Sequence, residues 1–267
     1  MSRLTLQWFN LTQQQGQDLC LKIPIYEIYS SIIDRAFPEL VHIGWRQSTK
    51  GTCFTYIKSI TPEEQERING FLQLLHDVRC LTLTQHLAPH FQRELDEGYA
   101  LDFNFQPNVF PLAYTEAGTL EHLAKEQRNP AAVAELVRRL AEVIQRHPTL
   151  SRADVIVPMP PRPSKTSHLP VELVAGIGQT LARPVGLSLT KAEHPKLRSL
   201  PIQQKLSTLA GVFTLAESVR DKTILVIDDL YQSGVTAWSL ARFLKSNGAR
   251  EVYTLACVKS WSDTDNV

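Results

Sequence analysis

The stretch that decides the fold covers residues 223–236 and reads TILVIDDLYQSGVT. Its four consecutive apolar residues at 224–227 predict a strand buried in the middle of a sheet. Two carboxylates, Asp228 and Asp229, follow directly, and a short loop then leads into a helix predicted over 236–247. Because ligands of open α/β sheets bind beyond the carboxyl ends of the strands, this segment is the first candidate for a binding site.

The loop and the two acids favour different parts of one ligand. A loop that enters a helix presents unpaired N–H groups and the positive end of the helix dipole, which suits a phosphate. Gly234 allows close backbone approach, and the hydroxyls of Ser233 and Thr236 add hydrogen bonds. Carboxylates repel phosphate, so Asp228 and Asp229 are expected to bind sugar hydroxyls or a hydrated divalent cation. The residues therefore predict a phosphorylated sugar with Mg²⁺.

Strands and helices alternate around this segment over residues 112–260. Alternation with short links is typical of an α/β fold, in which a parallel sheet has helices on both faces. Strands are predicted over 153–157, 185–189, 212–215, 223–228 and 252–258, and helices over 119–127, 169–181 and 236–247, with another beginning at Pro130.

Residues 1–105 are predicted to form a smaller α+β domain. The sequence does not indicate the role of this domain. Residues that favour strands flank a turn at 48–51, as in a hairpin. A capping pattern and apolar residues at helical spacing predict a helix over 62–76. The segment 101–112, which contains two prolines, is expected to connect this domain to the domain of residues 112–260.

Composition narrows the class of protein. The 28 Lys and Arg residues nearly balance the 27 Asp and Glu residues, so the chain is not expected to bind nucleic acid generally. The sequence shows neither a signal-peptide pattern nor an apolar run of about 18 residues, and we expect a cytoplasmic protein without a membrane span. It leaves homodimer formation open. The four cysteines lack the spacing of a zinc or redox pair and are expected to be buried thiols: Cys20, Cys53, Cys80 and Cys257.

The segment at 223–236 resembles the phosphoribosyl-pyrophosphate (PRPP) signature of type I phosphoribosyltransferases. That signature has four apolar residues, two acids, a few small residues and then Thr/Ser-Gly-x-Thr. Over about 112–260, the order of elements is similar to that of the competence-associated ComF-type branch. The resemblance implies a type I phosphoribosyltransferase-like sheet, with ribose hydroxyls and water-bound Mg²⁺ at Asp228 and Asp229. It places the 5-phosphate on Tyr231, Gln232, Ser233, Gly234, Val235 and Thr236.

The resemblance also implies a pyrophosphate loop and a flexible lid. Two prolines of the pyrophosphate loop lack N–H groups, which leaves Arg162 and Lys165 as the natural anion partners. The pyrophosphate loop consists of Met159, Pro160, Pro161, Arg162 and Lys165. The lid covers 191–211 and carries Lys191, Lys196, Arg198 and Lys205. The branch usually has an Arg and an Asn before Gly-x-Phe, where this chain has Ser207, Thr208 and Leu209.

The activity that the resemblance implies is transfer of a phosphoribosyl group from PRPP to a nitrogen acceptor, with release of pyrophosphate. The missing Arg and Asn support an alternative of another class. In that alternative the chain is a catalytically silent regulatory or interaction protein that senses PRPP or a nucleotide. A link to DNA uptake or processing rests on family association alone.

Overall fold

The computed structural model describes residues 4–14, 18–24, 27–165, 168–197 and 200–261. The chain divides into two compact units. We call residues 1–82 with 143–151 the N-terminal unit, and residues 83–142 with 152–267 the C-terminal unit. Arg198, one of the predicted lid residues, lies outside the described residues.

The N-terminal unit contains an antiparallel sheet in which the strand at 19–24 pairs with those at 10–13 and 52–57, and the strand at 52–57 also pairs with that at 46–47. A capping box starts its second helix: the N–H of Glu64 donates to Thr61 Oγ1, and the N–H of Thr61 donates to Glu64 Oε2. The predicted hairpin and helix are both confirmed. The elements of this part are β1 (Asn10–Gln13), β2 (Leu19–Pro24), α1 (Glu27–Ala36), β3 (Arg46–Gln47), β4 (Thr52–Ile57), α2 (Pro62–Asp77) and β5 (Arg79–Cys80).

The C-terminal unit contains a parallel sheet whose strands lie in the order 97–103, 251–259, 223–231 and 155–158. The elements from residue 97 onward are β6 (Glu97–Phe103), α3 (Glu116–Glu126), α4 (Pro130–Arg146), a 3₁₀ turn (Leu150–Arg152), β7 (Val155–Pro158), α5 (Leu169–Leu181), β8 (Leu189–Lys191), α6 (Ile202–Leu209), β9 (Phe213–Leu215), β10 (Thr223–Tyr231), α7 (Val235–Ser246) and β11 (Glu251–Lys259). Strands β8 and β9 form a separate antiparallel ribbon.

Both faces of the parallel sheet are covered. Residues 223–227 of β10 and 252–259 of β11 are buried at every position. Successive side chains of a strand point to opposite faces, so burial at every position requires cover on both sides. Helix α3 contacts β6 and β11, and helix α5 contacts β7 and β10. The predicted α/β class with a parallel sheet is confirmed, as is the smaller sheet toward the N-terminus.

The compact units divide between residues 82 and 83, upstream of the predicted connection at 101–112. The reason is β6, which pairs with β11 in parallel from Glu97 opposite Tyr253 to Phe103 opposite Lys259. Its two acids interrupt the apolar pattern that would have indicated a buried strand. Glu97 is nevertheless buried, because the hydroxyl of Tyr99 donates to its Oε2 at 2.7 Å.

Two strands have ends that differ from the prediction. Strand β10 continues to Tyr231, three residues beyond its predicted end. The strand predicted at 185–189 begins only at Leu189, after Gly186 with a φ of +85°. The four cysteines are free and buried, as expected. Within the described ranges, no helix combines the length and apolar character that crossing a membrane requires.

Candidate ligand-binding site

Two acids lie near the carboxyl end of β10, inside the strand. Pairing with β11 includes Asp228 opposite Ala256 and continues to Tyr231 opposite Lys259. The N–H of Asp229 donates to Asp228 Oδ1 at 2.9 Å, and the N–H of Leu230 donates to Asp229 Oδ1 at 2.8 Å. These bonds fix one oxygen of each carboxyl group, so the main chain of the strand orients both acids.

The two carboxyl groups have opposite pKa shifts. Burial and the neighbouring charge of Asp229 raise the pKa of Asp228 well above its usual range. Burial would also raise the pKa of Asp229, but the ammonium group of Lys125 outweighs it and holds that pKa below its usual range. As the pH falls, Asp228 is therefore the first of the pair to take up a proton, and Asp229 keeps its negative charge to lower pH.

Lys125 is a site residue that the sequence analysis missed. Its Nζ lies 2.9 Å from Asp229 Oδ2 and 3.1 Å from Glu121 Oε1. Burial alone would lower the pKa of Lys125, but these two carboxylates raise it above its usual value. The sequence shows only an i, i+4 Glu–Lys pair, which is the ordinary pattern of a solvated helix face. The contact with Asp229 links residues 104 positions apart, and no local pattern indicates it.

Replacing Lys125 by methionine is expected to lower the free energy of unfolding by about 2 kcal/mol at pH 7, because it leaves a largely buried carboxylate without its partner. The Asp229 side chain is 15% exposed and that of Lys125 30%, so solvent screens the pair only in part. Urea denaturation of Lys125→Met, Asp229→Asn and the double variant measures this. The double variant should lose less than the sum of the single variants. Additive losses would contradict the pairing.

The effect of Lys125→Met should depend on pH in a defined direction. The folded pKa of Asp229 is lowered, so its stabilisation is present above its unfolded pKa of about 4 and is lost as the pH falls through the folded value. The folded pKa of Lys125 is raised, so its stabilisation is present below its unfolded pKa of about 10.4 and is lost as the pH rises further. The stability gap should therefore be largest near neutral pH and narrow as the pH falls toward 3 or rises beyond about 10. A gap unchanged at pH 3 would contradict this.

The donor set at this edge of the sheet fits Mg²⁺. Mg²⁺ prefers oxygen ligands, keeps several waters and is held by one or two carboxylates together with substrate oxygens. Asp228 and Asp229 supply two such carboxylates. Among the described residues, no group of three or more side chains has the arrangement of a complete protein metal site. The acids therefore suit a metal that arrives with a phosphorylated ligand and is bound through water.

The loop after the acids is short and ends at a helix start. Residues 232–234 leave β10, and α7 begins at Val235, one residue earlier than predicted. Gly234 is the N-cap with a φ of +83°, and its side-chain position offers no capping group. The N–H of Trp238 donates to the carbonyl of Gly234 at 2.9 Å, which is the first bond of the helical ladder. The preceding N–H groups of the helix therefore face the loop, in the arrangement that binds anions.

A pocket of about 120 Å³ lies at this helix start. Asp228, Ser233 and Thr236 line one part of it, and Lys205 from α6 lines another. The structure thus brings together the predicted acid pair, the predicted phosphate loop and one predicted lid lysine. The hydroxyl groups, the helix start and the lysine make the pocket suited to an anion.

Tyr231 packs against the loop that precedes α7. Its side chain is 3% exposed, and its hydroxyl accepts a hydrogen bond from Trp238 Nε1 at 3.1 Å. Its carbonyl accepts from the N–H of Ser260 at 2.9 Å. Val235 is likewise buried. The bulk of Tyr231, which departs from the small residues of the signature, therefore packs between strand and helix.

The predicted pyrophosphate loop follows β7. The N–H of Met159 donates to the carbonyl of Ile227 at 2.8 Å, which extends the contact with β10, and both Met159 and Pro160 are buried. Arg162 Nη1 donates to the carbonyl of His194 at 3.3 Å and lies 3.6 Å from Glu193 Oε1. Arg162 is therefore held against the predicted lid segment.

Lys165 lines a second, larger pocket of the C-terminal unit, of about 480 Å³. Lys125, His168 and Asp229 line the same pocket. Lys165 itself is exposed. Burial lowers the pKa of His168 to about 4, so this histidine is neutral at pH 7. No pattern in the sequence indicates a role for His168.

The described part of the predicted lid region contains the last residue of β8 and the helix α6. Lys191 ends β8, and burial lowers its pKa although Asp228 opposes the shift. Lys196 is exposed, whereas Lys205 is buried on α6. The lid lysines therefore occupy different surroundings and do not form one basic cluster.

No protein-family model and no curated protein matches the chain. Solved structures that resemble it include the HGPRT-ase of Leishmania tarentolae in complex with GMP, at 15% identity and a TM-score of 0.31 over 48% of this chain and 64% of that one. A hypoxanthine phosphoribosyltransferase of Staphylococcus aureus matches at 15% identity with a TM-score of 0.32, over 46% of this chain and 61% of that one. The purine phosphoribosyltransferase of Pyrococcus horikoshii Ot3 matches at 19% identity with a TM-score of 0.30, over 46% of this chain and 71% of that one. The chain thus spans less than two thirds of the length of the Leishmania and Staphylococcus proteins.

Proposed function

We propose that the C-terminal unit binds PRPP with Mg²⁺ and transfers its phosphoribosyl group to a nitrogen acceptor, with release of pyrophosphate. The observation that carries the proposal is the order of groups along β10 and α7. An oriented acid pair is followed, five residues after Asp229, by the glycine cap of a helix whose start lines a polar pocket. The same residues match the PRPP signature in the sequence.

The acid pair and the loop would bind opposite ends of the sugar phosphate. The N–H groups at the start of α7 and the hydroxyls of Ser233 and Thr236 would bind the 5-phosphate. The carboxylates of Asp228 and Asp229 would accept hydrogen bonds from the ribose hydroxyls and hold Mg²⁺ through water. When bound, Mg²⁺ would neutralise charge on the pyrophosphate group. Lys125 keeps Asp229 ionised for this role.

The reaction requires little acid–base catalysis by the protein. A nitrogen attacks the anomeric carbon of the ribose as the bond to pyrophosphate breaks, and positive charge develops on the sugar ring. Catalysis of this kind depends on positioning and on charge stabilisation. Arg162 and Lys165 would stabilise the departing pyrophosphate, and Arg162 is already oriented by its bond to His194.

A second candidate is a protein that binds PRPP or a nucleotide without turnover. The observation in its favour concerns the positions where the similar branch has its Arg and Asn. The Ser207 hydroxyl donates to the carbonyl of Gln204 within α6, and Leu209 is buried. Neither side chain carries a positive charge that could stabilise a leaving group. This part of the lid therefore contributes to packing and not to charge stabilisation.

One assay separates the two candidates. The full chain is incubated with PRPP, Mg²⁺ and a panel of nitrogen acceptors that includes purine bases, pyrimidine bases, aromatic amines and ammonia. Calorimetry measures PRPP affinity, and an enzyme-coupled assay measures released pyrophosphate. We expect Mg²⁺-dependent binding and pyrophosphate release with at least one acceptor. Binding without release for the whole panel would establish the second candidate, and loss of both would contradict each.

A further inference from the structure

The antiparallel sheet of the N-terminal unit has two faces that differ in burial. Along β4 the burial alternates, so that Cys53 and Thr55 point into the core, whereas Phe54 and Tyr56 point to the other side and are only half-buried. On β2, Leu21 is likewise fully buried in the core. We call the face that carries Phe54 and Tyr56 the outer face. Its two aromatic rings remain accessible from outside the described part of the chain.

A row of side chains crosses the outer face at the level of Phe54. Residues directly opposite each other in an antiparallel pair lie on the same face. Phe54 lies opposite Lys22 of β2 on one side and opposite Arg46 of β3 on the other. Neighbouring strands are about 4.8 Å apart, so both basic residues are immediate neighbours of Phe54. Tyr56 follows in the next row, and its ring centroid lies 6.0 Å from that of Phe54.

The charge of the outer face is positive and is not balanced on the sheet. Lys22 and Arg46 are exposed, and neither has an ion-pair partner among the described residues. The strand registers place no Asp or Glu of the described chain on this face. Its remaining members are Asn10, Thr12, Cys20, Pro24 and Thr52. A surface of this kind is complementary to an anion that also carries planar groups.

Single-stranded nucleic acid is the partner that combines both features. Its phosphates are anionic, and every unpaired base offers a π-face to an aromatic ring. A duplex fits less well, because its bases are stacked on one another and are not free to contact the rings. An acidic peptide would pair with Lys22 and Arg46 but would make no use of Phe54 and Tyr56. The net charge of +1 excludes general coating of a polyanion, whereas a local site needs only a few phosphate contacts.

We propose that the outer face of the N-terminal sheet binds single-stranded nucleic acid. Phe54 and Tyr56 stack on bases, and Lys22 and Arg46 contact the phosphates beside them. DNA and RNA share these groups, so both are ligands to be compared. The activity belongs to the N-terminal unit and does not depend on PRPP.

Fluorescence anisotropy of the full chain with labelled oligo-dT and oligo-U of about 12 nucleotides tests the assignment. Phe54→Leu keeps an apolar side chain without the ring and should weaken binding about 10-fold or more, whereas Phe54→Trp should retain the affinity. Lys22→Gln and Arg46→Gln should each weaken binding and reduce the salt dependence, by about 0.7 in the slope of log K against log salt. Arg93→Gln makes the same charge change at an exposed residue of the C-terminal unit and should leave affinity and slope unchanged.

A second test uses the unaltered chain and is independent of how the variants fold. Strands that contain iododeoxyuridine or iodouridine should form photocrosslinks to Phe54 or Tyr56, which mass spectrometry of the adducts identifies. A duplex of the same length should bind at least about 10-fold more weakly than either strand. Binding of DNA, of RNA or of both supports the proposal, and the relative affinities identify the preferred ligand.

Four results would overturn the proposal. They are no binding of either strand at about 100 µM protein in low salt, equal affinity for polyphosphate or polyglutamate, which have no bases, equal affinity of Phe54→Leu, and crosslinks confined to residues outside the sheet. PRPP binding by the C-terminal unit is measured separately, so each of these results leaves the proposed function standing.

Discussion

Replacing Asp228 and Asp229 together by asparagine is expected to weaken PRPP binding at least about 100-fold, a loss of about 2.8 kcal/mol. The two carboxylates accept from ribose hydroxyls and hold the hydrated metal in the proposed complex, and bonds to a charged group contribute about 1.5–3 kcal/mol each. Asparagine keeps the side-chain volume, and its Oδ1 can still accept the main-chain bonds from Asp229 and Leu230. The fold should therefore persist while the affinity is lost.

Calorimetry with PRPP and Mg²⁺, together with thermal unfolding, checks this expectation. A control with the same change in net charge replaces two exposed acids elsewhere, Glu66→Gln with Asp221→Asn, and should bind PRPP like the unaltered chain. The single variants should differ in stability. Asp229→Asn loses the ion pair with Lys125, whereas Asp228→Asn leaves that pair in place and removes the repulsion between the two carboxyl groups. Unchanged PRPP affinity in the double variant would contradict the site assignment.

The sequence predicts the central strand β10 well, because the pattern that indicates this strand is local. The apolar run at 224–227 can only be buried, and the acids after it mark the edge where ligands bind. Helix α5 has the predicted bounds, Leu169–Leu181, since its apolar periodicity and the proline at its start agree. Strand β6 was missed because Glu97 is stabilised by a tyrosine two residues away, a bond that only the folded strand reveals.

The parts of the site that the sequence did not reveal depend on contacts between distant residues. Lys125 reaches Asp229 across 104 positions, and Lys205, which is predicted only as a lid residue, lines a pocket together with Ser233 and Thr236. A local signal did exist for α6: Ile202, Leu206 and Leu209 have helical spacing, and Pro201 precedes them. The resemblance to a flexible lid led us to expect a loop there. Periodicity would have placed Lys205 on a helix, although not in a pocket.

Replacing Gly234 by alanine is expected to lower the free energy of unfolding by about 3 kcal/mol, from a backbone penalty of about 1 and overpacking of about 2. The backbone of Gly234 has a φ of +83°, which a residue with a side chain rarely adopts. A Cβ atom there would also lie 2.2 Å from the hydroxyl oxygen of Tyr231 and 2.6 Å from its Cζ. Tyr231 is buried and bonded to Trp238, so its ring cannot move aside without loss.

Gly248→Ala is the matched control, because it separates backbone strain from the steric clash. Gly248 has a φ of +92°, yet its nearest neighbour would lie 3.5 Å from an added Cβ atom. It should therefore cost only the backbone penalty of about 1 kcal/mol. Urea denaturation of both variants measures the difference, and calorimetry with ribose 5-phosphate should show that Gly234→Ala alone loses binding, since a displaced Tyr231 moves the start of α7. Equal losses of stability in the two variants would mean that the loop at 232–234 changes its conformation to accommodate the added methyl group. Tyr231 would then not hold this loop in place.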